Sequence, residues 1–272
     1  MKIIMIGHGM VGHKFIESVL EHVGDDVEIT ILAEEPRLAY DRVHLTEYFS
    51  GKSAKDLTLC RADFADAYGI DLRLNTKAVA IDQSHKTVTT NHGDVLSFDK
   101  LILATGSYAF VPPISGNDRE NCFVYRTIED LDAIRAASLN AKSGVVIGGG
   151  LLGLEAAKAL RDLNLETHVV EFAPRLMAVQ IDDLGGKVLR AKIENLGVKV
   201  HTQKATSSIE EGATTKHVMK FGDGSELETD IILFSAGIRP RDELARQSGL
   251  ALWERGGIMI NDYCQMSNPD IY

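Results

Sequence analysis

The stretch VVIGGGLLGLEAAKAL, residues 145–160, reads as the end of a buried strand, a glycine loop and the start of a helix. Val145–Ile147 is a short apolar run, as expected of a parallel strand covered on both faces. Gly148, Gly150 and Gly153 then take the G-x-G-x-x-G spacing. The first glycine allows the tight turn, the second lets a pyrophosphate approach the helix N-terminus, and the third lets the helix sit close on the sheet. Alone the motif is weak; between a strand and a helix it has the context its mechanism demands. Thr167–Glu171 reads as the next strand, and Glu171 lies 23 residues after Gly148. A carboxylate there favours the free ribose 2′-hydroxyl of NADH and repels a 2′-phosphate. Arg175 is close enough to keep NADPH open as an alternative. Glu155, two residues past the third glycine, admits two readings: an acid answering the helix dipole, or a group near the nicotinamide.

The same unit opens the chain. KIIMIGHGMVG, residues 2–12, carries Gly7, Gly9 and Gly12 between a strand at Lys2–Ile6 and a helix running to about Leu20. The next strand, Val27–Leu32, is followed by Glu34, a carboxylate that can accept from ribose hydroxyls. A second correspondence links NHGDVLSFDKLILATG with FGDGSELETDIILFSAG, a hairpin and a strand each time. Position 7 maps to 148 and 106 to 237, so the chain reads as two related units of about 130 to 140 residues. Helices are expected over residues 127–139, with Thr127 and Asp130 as a reciprocal cap, and over about 182–196.

Composition narrows the function classes. A net charge of −10 argues against a general nucleic-acid binder. No apolar run reaches the length of a membrane span, and KIIMIG is too short for a signal peptide's core. Three scattered cysteines, Cys60, Cys122 and Cys264, suit neither a disulfide framework nor zinc or iron–sulfur ligation, and fit a reducing, cytoplasmic setting. The nine histidines show no metal-site spacing, and most are expected at the surface or at strand edges. His44, in the loop after Arg42, is the one of interest.

Two dinucleotide sites in one chain suggest a flavin held permanently and a nicotinamide nucleotide that visits. The chain resembles the two-dinucleotide-domain flavoproteins related to disulfide and rubredoxin reductases, through LILATGS at 101–107 and LFSAGIRP at 233–240. More narrowly, AYDRVHLTEYFSGK, GSYAFVPPISG, CFVYRTIEDLDAI, VVIGGGLLGLEAAKAL, ETHVVEFAPRLMA and RGGIMINDYCQMSNPDIY resemble the N-terminal part of assimilatory NAD(P)H-dependent nitrite reductase large subunits. That resemblance runs over essentially the whole chain. It implies FAD contacts at Gly7, Gly9, Gly12, Glu34, Arg42, Lys52, Ala104, Thr105 and Gly106. It implies an NADH side lined by Gly148, Gly150, Gly153, Glu155, Glu171 and Gly237. Cations such as Arg42 and Lys52 can stabilise charge near a flavin pyrophosphate or ring; as plain surface cations they would need no such role. The family usually carries asparagine or a similar residue where His8 stands, and His8 is read as tolerated variation.

The expected fold is α/β: two Rossmann-like FAD/NAD(P)-binding domains of the ββα three-layer type, each a parallel sheet with helices on one side and a small antiparallel meander on the other. Residues 1–112 plus 238–272 form the expected FAD domain and residues 113–237 the NADH domain, with the two rings meeting where the domains adjoin. No side chain is expected to act as a catalytic acid or base, the hydride passing directly to the flavin. Sirohaem and [4Fe–4S] centres that reduce nitrite to ammonium belong, by the resemblance, to a part beyond these residues. A small subunit and a homodimer fit the same resemblance. The rivals are an NADH reductase for a rubredoxin-type or ferredoxin-like acceptor, and a nucleotide-binding module without turnover. SNPDIY, at 267–272, begins a strand and stops, so the sequence reads as a truncated chain ending inside the flavin site.

Overall fold

In the computed structural model, residues 1–23 and 26–272 are described. They form two compact units, one of Met1–Arg42, Ala54–Tyr108 and Arg239–Tyr272, the other of Val43–Ser53 and Ala109–Ile238. In chain order the elements up to the first crossing are β1 (Lys2–Ile6), α1 (Met10–Val23), β2 (Glu28–Leu32), α2 (Ala54–Leu57), α3 (Phe64–Ala67), β3 (Asp71–Arg73), β4 (Ala78–Asp82), β5 (Thr87–Thr90), β6 (Val95–Ser97), β7 (Lys100–Leu103) and β8 (Ser107–Ala109). There follow β9 (Cys122–Val124), α4 (Ile128–Ser138), β10 (Ser143–Ile147), α5 (Leu151–Asp162), β11 (Glu166–Val170), α6 (Asp183–Asn195), β12 (Val198–His201), β13 (Thr206–Glu211), β14 (His217–Phe221), β15 (Glu226–Thr229) and β16 (Ile231–Phe234). The chain then passes through β17 (Ile238–Pro240), which pairs with β8, and α7 (Glu243–Gln247).

The first unit is built on a parallel sheet in the order β3-β2-β1-β7. Its central strand is apolar from Ile3 to Ile6 because each face meets a different layer. Ile4 and Ile6 pack with Val88, Phe98 and Leu101 on the side of the β4-β5-β6 meander. Met5, one step out of phase, packs with Ile16 of α1 and with Phe64. The tail adds a further strand position: Tyr272 N–H donates to Leu101 O at 2.8 Å and Leu103 N–H to Tyr272 O at 2.7 Å. Ile271 is fully buried, and Lys86 and Lys100 both pair with Asp270.

The second unit repeats the plan with a parallel sheet in the order β12-β11-β10-β16-β9 and the meander β13-β14-β15. Val145, Ile147, Phe234 and Met219 fill the space between sheet and meander. Strand β9 pairs with β16 in parallel as the tail pairs with β7. Helix α4 starts on the expected capping box: Asp130 N–H donates to Thr127 Oγ1 at 3.2 Å and Thr127 N–H to the Asp130 carboxylate at 2.8 Å. Such a cap contributes about 1 kcal/mol. The segment Val43–Ser53, which sequence reading places with the first unit, is held within the second. Tyr48 hydroxyl bonds the Asp132 carboxylate, Tyr125 hydroxyl donates to Thr46 at 3.2 Å, and Ser50 hydroxyl to Asp162 at 2.9 Å.

Candidate functional site: two matched nucleotide loops

Both glycine loops leave the C-terminal end of the central strand of their sheet, and their three glycines divide the work identically. A side chain on Gly7 would collide with the carbonyl of Ala104, and one on Gly148 with the carbonyl of Ser235. Both residues also sit in the left-handed region, at φ 104° and φ 121°, where a non-glycine residue is strained. A side chain on Gly12 would strike Gly7 O, and one on Gly153 would strike Gly148 O, so the third glycine brings helix against turn. Gly9 and Gly150 face open space instead. Only the middle glycine of each loop is free of a packing reason, and it leaves the helix end open.

The helix ends fit an anion. Gly9 O accepts from His13 N–H at 2.9 Å and Gly150 O from Leu154 N–H at 3.0 Å, so glycine caps both helices. Neither α1 nor α5 has an acid in its first turn, unlike α4 and α6. Glu155 therefore lies beyond the turn where it would answer the dipole. Burial raises its pKa, and the nearby His44 opposes that shift. First-turn N–H groups without a side-chain acceptor beside an open glycine are what a dinucleotide pyrophosphate requires.

Beyond the loops the two units differ at the acid. Gly7 N–H donates to Leu32 O and Gly148 N–H to Val170 O, which puts Ala33 in register with Glu171. Glu171 holds its own loop: its carboxylate accepts from Gly149 N–H at 2.5 Å and Ala173 N–H at 2.7 Å. A side chain at Gly149 would stand 2.6 Å from Leu176 and 3.0 Å from Glu171, so a larger residue there would have to displace one of those side chains. In the first unit the small Ala33 goes with His8 at the corresponding place. Glu34, one residue further on, is paired with Arg241 and, at 3.5 Å, with Lys77. Arg42 pairs with Glu35, and its guanidinium lies 4.7 Å from the Tyr40 ring centroid. Lys52 pairs with Glu47.

The segments opposite the loops also match. Thr105 hydroxyl donates to Arg241 O at 2.8 Å, and Arg241 N–H to Gly106 O at 3.0 Å. Gly106 and Gly237 adopt φ 70° and φ 113° with open space around them, so conformation and not crowding requires glycine there. Ser235 and Ala236 are the counterparts of Ala104 and Thr105. The repeat of ATG as SAG carried that signal.

Five of the nine histidines are not buried, in line with the expectation for most of them, while His8, His13, His168 and His217 depart from it and are buried. His8 and His13 stand edge to face at 5.7 Å beside Phe64; neither His8 ring nitrogen has a hydrogen-bond partner among the described residues, and His13 Nε2 meets only the Glu17 carboxylate, at 3.5 Å. Burial, with His13 adding to it, pushes His8 down to about 4. A histidine that charges more readily unfolded than folded destabilises the fold on acidification. Stability should therefore fall as the pH drops from 6.5 toward 4, and His8→Asn should flatten that slope in melting curves taken across the window. An unchanged slope would remove His8 as its source.

Among the described residues no cluster of three or more histidine, cysteine or acidic side chains could hold a metal ion, and no helix is long and apolar enough to cross a membrane.

Known proteins share this arrangement. The chain is 54% identical over 273 residues to the nitrite reductase (NADH) large subunit of Escherichia coli (strain K12), covering 100% of this chain and 32% of that protein. It thus spans about a third of the length of that relative. The NADH-bound structure of the water-forming NADH oxidase from Lactobacillus brevis superposes with a TM-score of 0.91 at 27% identity, covering 100% of this chain and 61% of the oxidase. An engineered, NADPH-bound form of that oxidase superposes equally well, with a TM-score of 0.91 at 26% identity over 100% of this chain and 61% of that one. The sequence profile of the pyridine nucleotide-disulphide oxidoreductases matches residues 1–272, and the chain belongs to that family of FAD- and NAD(P)H-binding α/β oxidoreductases.

Proposed function

We propose that the first unit holds FAD, that the second receives NADH, and that the chain performs the NADH-oxidising half of nitrite reduction. The matched glycine loops carry this reading. Each has a middle glycine facing open space at a helix end with no side-chain cap and no acid in its first turn. Bound FAD supplies the two-electron acceptor for the hydride of NADH. The protein's part is to bind and orient. Gly9 and Gly150 admit the pyrophosphates, Gly7, Gly12, Gly148 and Gly153 close the turns, and Ala104, Thr105, Gly106 and Gly237 form the opposite rims. Arg42 supplies positive charge on the FAD side, where Glu34 also stands, and Glu155 lies toward the nicotinamide; Lys52 belongs to the segment held by the second unit.

Glu171 sets the preference for NADH, because its carboxylate repels a 2′-phosphate. In the engineered NADPH-bound oxidase, an aspartate eighteen residues beyond a substituted glycine becomes alanine and the next residue becomes arginine. Eighteen residues also separate Gly153 from Glu171 here. By likeness to the nitrite reductase large subunits, the electrons pass on to iron–sulfur and sirohaem centres that reduce nitrite to ammonium. Cys60, Cys122 and Cys264 are free thiols outside any such cluster. A small nitrite reductase subunit and a second copy of the chain are the macromolecular partners that fit this role.

Anaerobic titration of the FAD-supplied protein with NADH tests the proposal. Flavin absorbance should fall in proportion to NADH added. Bound flavin that NADH leaves unbleached would leave only a nucleotide-binding module. Failure to bind either nucleotide would overturn the site assignment itself.

A further inference from the structure

The second unit has a polar cavity of about 470 Å³ lined by Arg119, Glu120, Glu211, Gly212, Thr215, Lys216 and His217. It lies toward the end of the sheet where the strands begin. Arg119 precedes the first residue of β9, and His217 is the first residue of β14. Asp230, just ahead of β16, accepts from Ser143 N–H at 3.1 Å and from Lys216 N–H at 3.3 Å, which ties the cavity's hairpin to the start of β10. The glycine loop of this unit leaves from the other end of β10, so the cavity is separate from the nucleotide loop.

Its walls are fixed by backbone contacts. Ile209 N–H donates to Ser115 O at 2.8 Å, and a side chain on Gly116 would collide with Ile209 O. Across the hairpin, a side chain on Gly212 would stand 2.5 Å from Thr215 O. Arg119 is oriented through its Nε, which donates to His217 Nδ1 at 3.3 Å. An arginine Nε can only donate, so His217 Nδ1 is the acceptor and the ring proton sits on Nε2. His217 is fully buried, and burial, with the Arg119 charge behind it, lowers its pKa and keeps the ring neutral. Its Nε2–H makes no full hydrogen bond, with only the backbone of Glu120 near enough to favour the proton, and an unmet donor is costly at a buried position.

The charges divide in a telling way. Lys216 and Glu120 neutralise each other at 2.7 Å. Arg119 and Glu211 both line the cavity, yet among the described residues neither belongs to an ion pair and they do not pair with each other. One unpaired guanidinium and one unpaired carboxylate therefore face the same space. A guanidinium held by Nε keeps both terminal nitrogens for a carboxylate in the paired geometry arginine favours.

We propose that this cavity binds a free α-amino acid, its carboxylate on Arg119 and its ammonium on Glu211. A simple anion would satisfy Arg119 and be repelled by Glu211. A simple cation would face the reverse. A zwitterion meets both, and the cavity is large enough for the common side chains.

Saturation-transfer NMR of the full chain with a mixture of the twenty common L-amino acids tests the proposal, with acetate and methylammonium as separate probes. At least one amino acid should receive transfer, and Arg119→Gln and Glu211→Gln should each weaken its binding at least tenfold. NADH affinity should not change in either variant. Glu211 is exposed, so its variant remains informative if Arg119→Gln melts early. No transfer to any amino acid, transfer that survives Glu211→Gln, or acetate binding as well as the amino acid would each overturn the assignment.

Discussion

Gly150→Asp should leave the protein folded and deny it NADH. The position caps α5 with a backbone φ of −81°, and nothing lies within 4 Å of where its side chain would begin. Aspartate is among the preferred helix caps, so melting should be unchanged or slightly higher. The same carboxylate would occupy the space that admits the pyrophosphate, adding bulk and like charge where the helix end had offered N–H groups. Like-charge juxtaposition in a binding site costs several kcal/mol, and a loss of about 100-fold corresponds to about 2.7 kcal/mol. Gly148→Ala, two residues earlier, should fail in the opposite way. Its φ of 121° and the Ser235 carbonyl behind it add backbone strain and overpacking, each of order 1–3 kcal/mol. That is a large share of a typical domain's total stability. Melting and NADH fluorescence titration on both variants separate the roles. Retained NADH affinity in Gly150→Asp would mean that the nucleotide does not approach this helix end.

Those two glycines show what a sequence can disclose. The spacing of Gly148, Gly150 and Gly153 implies three jobs because turn, ligand approach and helix packing each have a fixed offset. The repeat at residues 2–12 made the reading stronger than either copy alone. The partners of the first glycine, Ala104 and Ser235, were nearly as legible through the ATG and SAG repeat. The acid of the first unit was not. After ITIL the sequence offers Ala33, Glu34 and Glu35 before the first turn residue, Pro36, and it takes the strand ladder and the Gly7–Leu32 hydrogen bond to fix the register at Ala33. The histidines were illegible for another reason. A lone histidine has no periodicity, so nothing in IGHGMVGHKF distinguishes a pair buried against Phe64 from two surface residues. Arg119 and His217 lie 98 positions apart, and only the fold brings them together.

Replacing Glu171 should reverse the nucleotide preference only when a cation comes with the change. Its carboxylate does two things at once. It accepts from Gly149 N–H and Ala173 N–H, at 2.5 Å and 2.7 Å, and, in the proposed NADH site, it would present negative charge to the adenosine ribose. Glu171→Ala alone removes both, so the loop loses two charge-assisted hydrogen bonds, each of order 1.5–3 kcal/mol, and NADH affinity should fall with little gain for NADPH. Phe172, the next residue, is 78% exposed, so Phe172→Arg costs little packing and supplies a guanidinium suited to a 2′-phosphate. The double variant Glu171→Ala/Phe172→Arg should move the ratio of NADPH to NADH affinity by about 100-fold or more, about 2.7 kcal/mol. Glu171→Gln is the control: it keeps one acceptor for the loop and drops the charge, so NADPH should gain more from it than from Glu171→Ala. Dissociation constants for both nucleotides, measured by fluorescence, decide the matter. A ratio that stays within about 5-fold of the parent, roughly 1 kcal/mol, would mean that selectivity is set elsewhere and that Glu171 serves only to hold its loop.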